Sequence, residues 1–370
     1  MSMKHTHGIG SRCASLFLAV MLLVAMAIVP ASAADGLVVG GEDGVEQFTI
    51  TKYLTKESTT MTPNVSFTFA VTPVTGVSEN RSGIPVSDGV LNGVTVSATD
   101  SSADFKPNGT LDKNTVLSDT VTFDVNLAAF NNVPGIYKYT IQENTVTYGG
   151  ITQDTNILNL YVYVENVNGK VQVAYVELVD PDANSEGTGT QEVKKDSFTN
   201  DYGSTHNTLF DLTLYKVVSG NAANMNQQFT FSVKVDGEAD EQYYAQYGTY
   251  INGSFTAGSK SVVLESGTAT PIELGDGEAI KIYGLDSNDA YTIVEQDNNS
   301  NGYKLKIDGE VSEDGIKNGV LDNDTVVKYE NIKDAATPTG IIMSVAPYAL
   351  LVVLAAGACV VFLRRRGAED

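Results

Sequence analysis

The chain is poor in the residues that most often carry chemistry. It has two cysteines, no tryptophan and three histidines in 370 residues. Cys13 and Cys359 lie in terminal segments that processing would remove, so no disulfide is available to what remains. His5 and His7 fall in the same leading segment, which leaves His206 as the one histidine of the mature chain, read as a linker residue. Cys/His nucleophile pairs and histidine-rich metal centres are thereby excluded. Positive charge is also scarce, with 23 Lys and Arg against 45 Asp and Glu. Five of the basic residues (Lys4, Arg12 and Arg364 to Arg366) lie in the terminal segments, so the mature chain is more acidic still. Such a surface argues against a nucleic-acid partner and favours solubility outside the cell. Nothing signals a turnover enzyme or a cofactor.

The two ends have the form of processing signals. Lys4 and Arg12 precede an apolar run from Leu16 to Val29 and then Pro30-Ala31-Ser32-Ala33, the pattern of a signal peptide cleaved after Ala33. The apolar run is roughly 15 residues, short of the ~20 that span a bilayer. At the far end, Thr337-Pro338-Thr339-Gly340 leads into an apolar run from Ile341 to Leu363, followed by three arginines. This is the layout of a membrane span with its positive charge left inside. The Pro338-Thr339-Gly340 tripeptide resembles the sorting signal of sortases, which cut between Thr and Gly and transfer the protein to cell-wall peptide. It departs from the commonest form, since Pro338 lies two residues before Gly340 and no leucine precedes it. The resemblance implies a Gram-positive surface protein.

Between the ends, short alternating segments such as FTITKYL, VSFTFAV, GIYKYTIQE, LTLYKVV and AYTIVEQ recur without any long helical period. An all-β chain of sandwich-like domains is predicted, with a helical turn allowed only near Glu241 to Tyr247. A string of features occurs twice, with a boundary near Asn200 to Asn207. Each half opens on a strand bearing a lysine (Lys52; Lys216) and continues with Phe-Thr-Phe (Phe67 to Phe69; Phe229 to Phe231). A Tyr-Thr-Ile strand with a glutamate follows (Glu143; Glu295), and each half closes on an aromatic residue and an asparagine (Asn200; Asn331). The domains expected are 34–203 and 204–334, between a signal peptide at 1–33 and a sorting segment at 335–370.

Side chains two apart on a strand share a face. Lys52 shares parity with Phe48, Ile50 and Leu54, and Lys216 with Leu212, Leu214 and Val218; the glutamates and asparagines likewise follow apolar positions. Six polar residues are therefore expected inside, where charge is costly unless paired or neutralised. Burial favours a neutral amine and a protonated carboxyl. Held together, the amine can attack the asparagine carboxamide, with the acid shuttling protons, and release ammonia. A register slip or bulge would instead carry the lysines to the surface, with the asparagines capping strand ends.

The repeated lysine, glutamate and asparagine, with these strand motifs, resemble the isopeptide-linked immunoglobulin-like domains of the streptococcal backbone pilins. The resemblance implies two tandem sandwiches in which Lys52 bonds to Asn200 with Glu143 assisting, and Lys216 to Asn331 with Glu295 assisting. It also implies sortase, neighbouring pilin subunits, cell-wall peptide and a host-surface ligand as partners. A monomeric wall-anchored adhesin or minor pilin is the alternative. The family's polymerisation acceptor lies near the end of the first domain, which points to Lys194 or Lys195, although lysines at a strand edge also serve simply to block unwanted pairing. The Asp297 to Asp308 stretch matches part of a calcium loop, but its Asn301-Gly302 reads as a hairpin turn, and Asp180 to Asn184 is a weaker match.

Overall fold

A computed structural model describes residues 46–182, 193–203, 208–296, 300–335 and 348–360. Two immunoglobulin-like β-sandwiches follow one another along the chain. In the first, a five-stranded sheet has the order β5 (Val94–Val96), β7 (Val116–Val125), β1 (Gln47–Lys56), β13 (Ser197–Tyr202), β9 (Ile151–Thr152). Facing it is a sheet ordered β12 (Val193–Lys194), β11 (Lys170–Asp180), β10 (Ile157–Val167), β8 (Gly135–Glu143), β2 (Val65–Pro73), β6 (Ser102–Phe105). The hairpin of β3 (Asn80–Arg81) and β4 (Ile84–Asp88) joins this sheet through β8.

The second sandwich has a seven-stranded sheet ordered β17 (Ser254–Glu265), β16 (Gln242–Ile251), β19 (Glu278–Leu285), β14 (Phe210–Ser219), β24 (Thr325–Ile332), β21 (Lys304–Ile307), β22 (Glu310–Ser312). Its partner sheet runs β18 (Thr270–Leu274), β15 (Phe229–Asp236), β20 (Ala290–Glu295), β23 (Ile316–Val320). In each domain the first and last major strands are parallel neighbours, β1 with β13 and β14 with β24.

Alternation in the sequence explains which face is buried. Along β1, Phe48, Ile50, Lys52, Leu54 and Lys56 point inward while Gln47 and Thr49 face solvent. The inward faces of each pair of sheets meet in one core per domain, around Phe67, Phe123 and Phe198 in the first and Phe231, Ile293 and Tyr329 in the second. Aromatic pairs repeat between the domains: Phe69 packs on Phe198 and Phe231 on Tyr329, both with ring centroids 5.1 Å apart.

The helical turn expected near Glu241 to Tyr247 is not formed. Gln242–Ile251 is a strand, paired with β17 on one side and β19 on the other. Tyr243 and Tyr247 recur at helical spacing, but the face buried is that of Tyr243 and Ala245, two apart. Pairing on both sides overrides a weak local period. The hairpin after it turns on Asn252 and Gly253, both at positive φ, as a two-residue turn matched to strand twist requires.

The signal peptide and Pro338, Thr339 and Gly340 lie outside the described residues, as does His206. Of the expected span, residues 348–360 are helical, and among the described residues no helix is long and apolar enough to cross a membrane.

Candidate functional site

In the first domain the parallel register sets Lys52 beside Phe198 and Leu54 beside Asn200, so Lys52 and Asn200 lie two residues apart on the same inward face. In the second, Lys216 pairs with Tyr329 and Val218 with Asn331, the same offset. Each glutamate reaches in from the opposite sheet, next to the last residue of a Phe-Thr-Phe strand: Glu143 pairs with Phe69 and Glu295 with Phe231. The six residues are at most 3% exposed. No register slip or bulge carries the lysines outward.

The second-domain site is a closed triangle. Lys216 Nζ donates to Glu295 Oε2 at 2.8 Å and to Asn331 Oδ1 at 2.7 Å, while Asn331 Nδ2 donates to Glu295 Oε1 at 2.6 Å. Since a C=O bond is about 1.2 Å, the amine lies at most roughly 3.9 Å from the carboxamide carbon. In the first domain Asn200 Nδ2 donates to Glu143 Oε1 at 2.6 Å, and Lys52 Nζ is 2.5 Å from Glu143 Oε2, in a charge contact too skewed for a good hydrogen bond. Here Asn200 Oδ1 accepts from the backbone N–H of Asp154 at 2.7 Å, which orients the carboxamide. Aromatic rings wall off water: Lys52 Nζ is 4.7 Å from the Phe67 centroid and Lys216 Nζ is 4.1 Å from that of Phe229.

Burial in these walls outweighs the neighbouring carboxylate and pulls both lysines down to about 8. At pH 7 about a tenth of such an amine is neutral, roughly 300-fold more than of an ordinary lysine. Burial also raises Glu143, against the pull of Lys52, toward the protonated form that can pass a proton. The second domain thus holds amine, acid and carboxamide in mutual contact, while in the first the glutamate touches both the amine and the carboxamide, with no hydrogen bond between Lys52 and Asn200.

Three details were missed in the sequence. Lys56 is buried too and donates to the carbonyls of Thr60 at 2.9 Å and Asp112 at 2.6 Å. Its parity with Lys52 and Leu54 was the available signal. The Asp154 donor had none, because a loop backbone group leaves no pattern. The third is a carboxylate cluster between the domains.

Lys194 and Lys195 lie on and just after the short edge strand β12. Lys194 Nζ is 3.8 Å from Glu177 and Lys195 Nζ 3.4 Å from Asp180, and both are partly exposed. Residues 297–299 of the calcium-like stretch are outside the described residues, and Asn301-Gly302 is not the hairpin turn expected from the sequence, since it lies in a 3-10 turn, Ser300–Gly302, between strands of different sheets, β20 and β21. Asp308 of that stretch is held by Lys317 Nζ at 2.8 Å and by the Lys328 N–H at 2.8 Å, in a two-residue hairpin turn with Gly309. Asp180 accepts from the Asp182 N–H at 3.0 Å, and Ala183 and Asn184 lie outside the described residues.

The family described as "Spy0128-like isopeptide containing domain" matches residues 48–203, and "Domain of unknown function (DUF7601)" matches 210–333. A pilin of Streptococcus pyogenes serotype M1 is 27% identical over 339 residues, covering 87% of this chain and 91% of that protein. The solved major pilin of Streptococcus pyogenes shares the fold with a TM-score of 0.53 at 22% identity, over 78% of this chain and 99% of that one. The major pilin T3.2 from Streptococcus pyogenes serotype GAS13637 also scores 0.53, at 20% identity over 80% and 99%. These relatives are structural pilins. The front part of the chain, residues 48–203, thus matches a Spy0128-like isopeptide containing domain, and most of its length is similar to a streptococcal pilin in sequence and to the solved major pilin in fold.

Proposed function

We propose that this protein is a structural subunit of a Gram-positive cell-surface pilus, divided into domains 34–203 and 204–334, wall-anchored by sortase and cross-linked within each domain. The observation that carries the cross-linking is the identical register of two buried Lys-Glu-Asn sets. In each, the neutral lysine Nζ attacks the asparagine Cγ and the Cγ–Nδ2 bond breaks. The glutamate carboxyl relays the proton given up by the amine to Nδ2, so that ammonia leaves and an amide remains. Lys52 joins Asn200 and Lys216 joins Asn331, with Glu143 and Glu295 as the proton relays. Such a bond ties the first strand of each domain to its last, so tension passes between neighbouring strands without unravelling the sheets.

Anchoring rests on the order of Pro338-Thr339-Gly340, apolar run and arginines. Changing Thr339 and Gly340 together will leave the chain in the membrane fraction of fractionated cells; normal release with the wall fraction would refute sortase processing at this site.

Assembly needs an acceptor amine, and Lys194 and Lys195 suit that role because they are partly exposed at the end of a short edge strand and just after it. Replacing both with Arg keeps their charge and removes the nucleophile. Wall extracts boiled in detergent will show high-molecular-weight ladders for the parent and single subunits for Lys194→Arg/Lys195→Arg. Undiminished ladders in that variant would move the acceptor elsewhere, and their absence in the parent would refute polymerisation.

A further inference from the structure

Three carboxylates meet where the two sandwiches touch, and the lysine sites do not use them. Glu241, Asp286 and Asp289, from the second domain, are each at most 2% exposed. Glu241 is bound from both sides of the junction. Tyr202 of the first domain donates its hydroxyl to Oε1 at 3.1 Å, while Tyr243 and the Glu238 N–H donate to Oε2 at 2.8 and 2.9 Å. The Tyr148 hydroxyl of the first domain also faces this carboxylate, without a well-formed hydrogen bond. A Cβ on Gly237 would collide with both Glu241 Oε2 and Asp289 Oδ1, so these two oxygens converge on one point. A Cβ on Gly149 would collide with Asp286 Oδ2, so the first-domain loop presses its bare backbone onto that carboxylate.

The cluster is short of partners. Among the described residues, Asp286 Oδ2 and Asp289 Oδ1 have no hydrogen-bond donor. The groups acting most strongly on Glu241 are Tyr243, Tyr202 and Tyr148, and those on Asp289 are Glu241, Asp286 and Tyr243, with no cation among them. Asp289 Oδ2 accepts from the Asp286 N–H at 3.0 Å and Asp286 Oδ1 from the Asn288 N–H at 2.6 Å, so the donors around the cluster are neutral backbone and tyrosine groups, and carboxylates crowded together with only such donors resist being ionised at once while the junction is shut.

We propose that this cluster is a proton-operated lock, which holds the two domains rigidly together in acid and releases them to swing as the pH rises. Burial, then the charges of Glu241 and Asp286, lift Asp289 from 3.8 to about 8, and burial raises Glu241 as well. A carboxyl with a higher pKa in the closed junction than in the open one takes up a proton on closing. Closure is therefore favoured as pH falls, and the penalty on it grows between the ordinary carboxylate range near 4 and about 8.

Every strand among the described residues lies within 47–332, so the segment 34–339 carries both sandwiches. It contains no cysteine, which permits spin labels at Leu91→Cys and Val311→Cys, one exposed site on each domain. His206→Gln in every sample removes the linker histidine. The interlabel distance distribution, measured by pulsed electron spin resonance in chelator, is expected to be narrow at about pH 5.5 and roughly twice as wide at about pH 8.5. Glu241→Gln/Asp289→Asn keeps the shape of both side chains without their charge, and is expected to remove the greater part of that response. Circular dichroism on the same samples checks that both domains stay folded. A width independent of pH in the parent, or an undiminished response in the variant, would overturn the proposal. So would narrowing at high pH by millimolar calcium, which would make the cluster a cation site.

Discussion

Glu295→Ala will leave Lys216 and Asn331 unbonded, and the second domain will melt far below its parent. The proposed bond closes a loop between residues 115 apart. By analogy with disulfides, such a constraint contributes on the order of 5 kcal/mol, which for a domain of this size corresponds to a drop of roughly 15 °C in melting temperature. Removing the carboxylate also leaves the Lys216 amine buried without the partner now 2.8 Å away, and that adds to the loss. Glu295→Gln separates the two effects, because it fills the same space but cannot relay a proton. Differential scanning calorimetry should show its lower transition shifted nearly as far as that of the Ala variant, with the other transition in place. Glu143→Ala should move the transition of the first domain in the same way. A Glu295→Gln protein melting like its parent would show that the carboxyl is not needed for the bond.

The central site was legible because it violates a pattern. A strand reading Phe48, Ile50, Lys52, Leu54 puts a lysine where only an apolar side chain belongs, and the same violation recurs at Lys216. Parity alone placed all six residues inside, since a strand has two faces and one was plainly apolar. The same rule reaches Lys56, two residues beyond Leu54, where three main-chain carbonyls take the place of a carboxylate.

What stayed hidden is what depends on distant strands meeting. Nothing in the residues around Asp154 shows that its N–H will orient Asn200, 46 residues away. The piece near Glu241 to Tyr247 left a helical turn open, and only pairing on both sides makes Gln242–Ile251 a strand. The junction cluster joins Tyr148 and Tyr202 to Glu241 and Asp289, residues from both halves, so no reading of one domain by itself could assemble it.

The intact mass of residues 34–339, purified without their export and sorting segments, tests the central claim most directly. Each amide formed between a lysine and an asparagine expels one ammonia, so two bonds lower the mass by about 34 Da from the sequence value. Glu143→Ala and Glu295→Ala should each restore about 17 Da beyond the change expected from the substitution itself, because each carboxyl serves only the bond in its own domain. A parent protein with the unmodified sequence mass would contradict the cross-linking account.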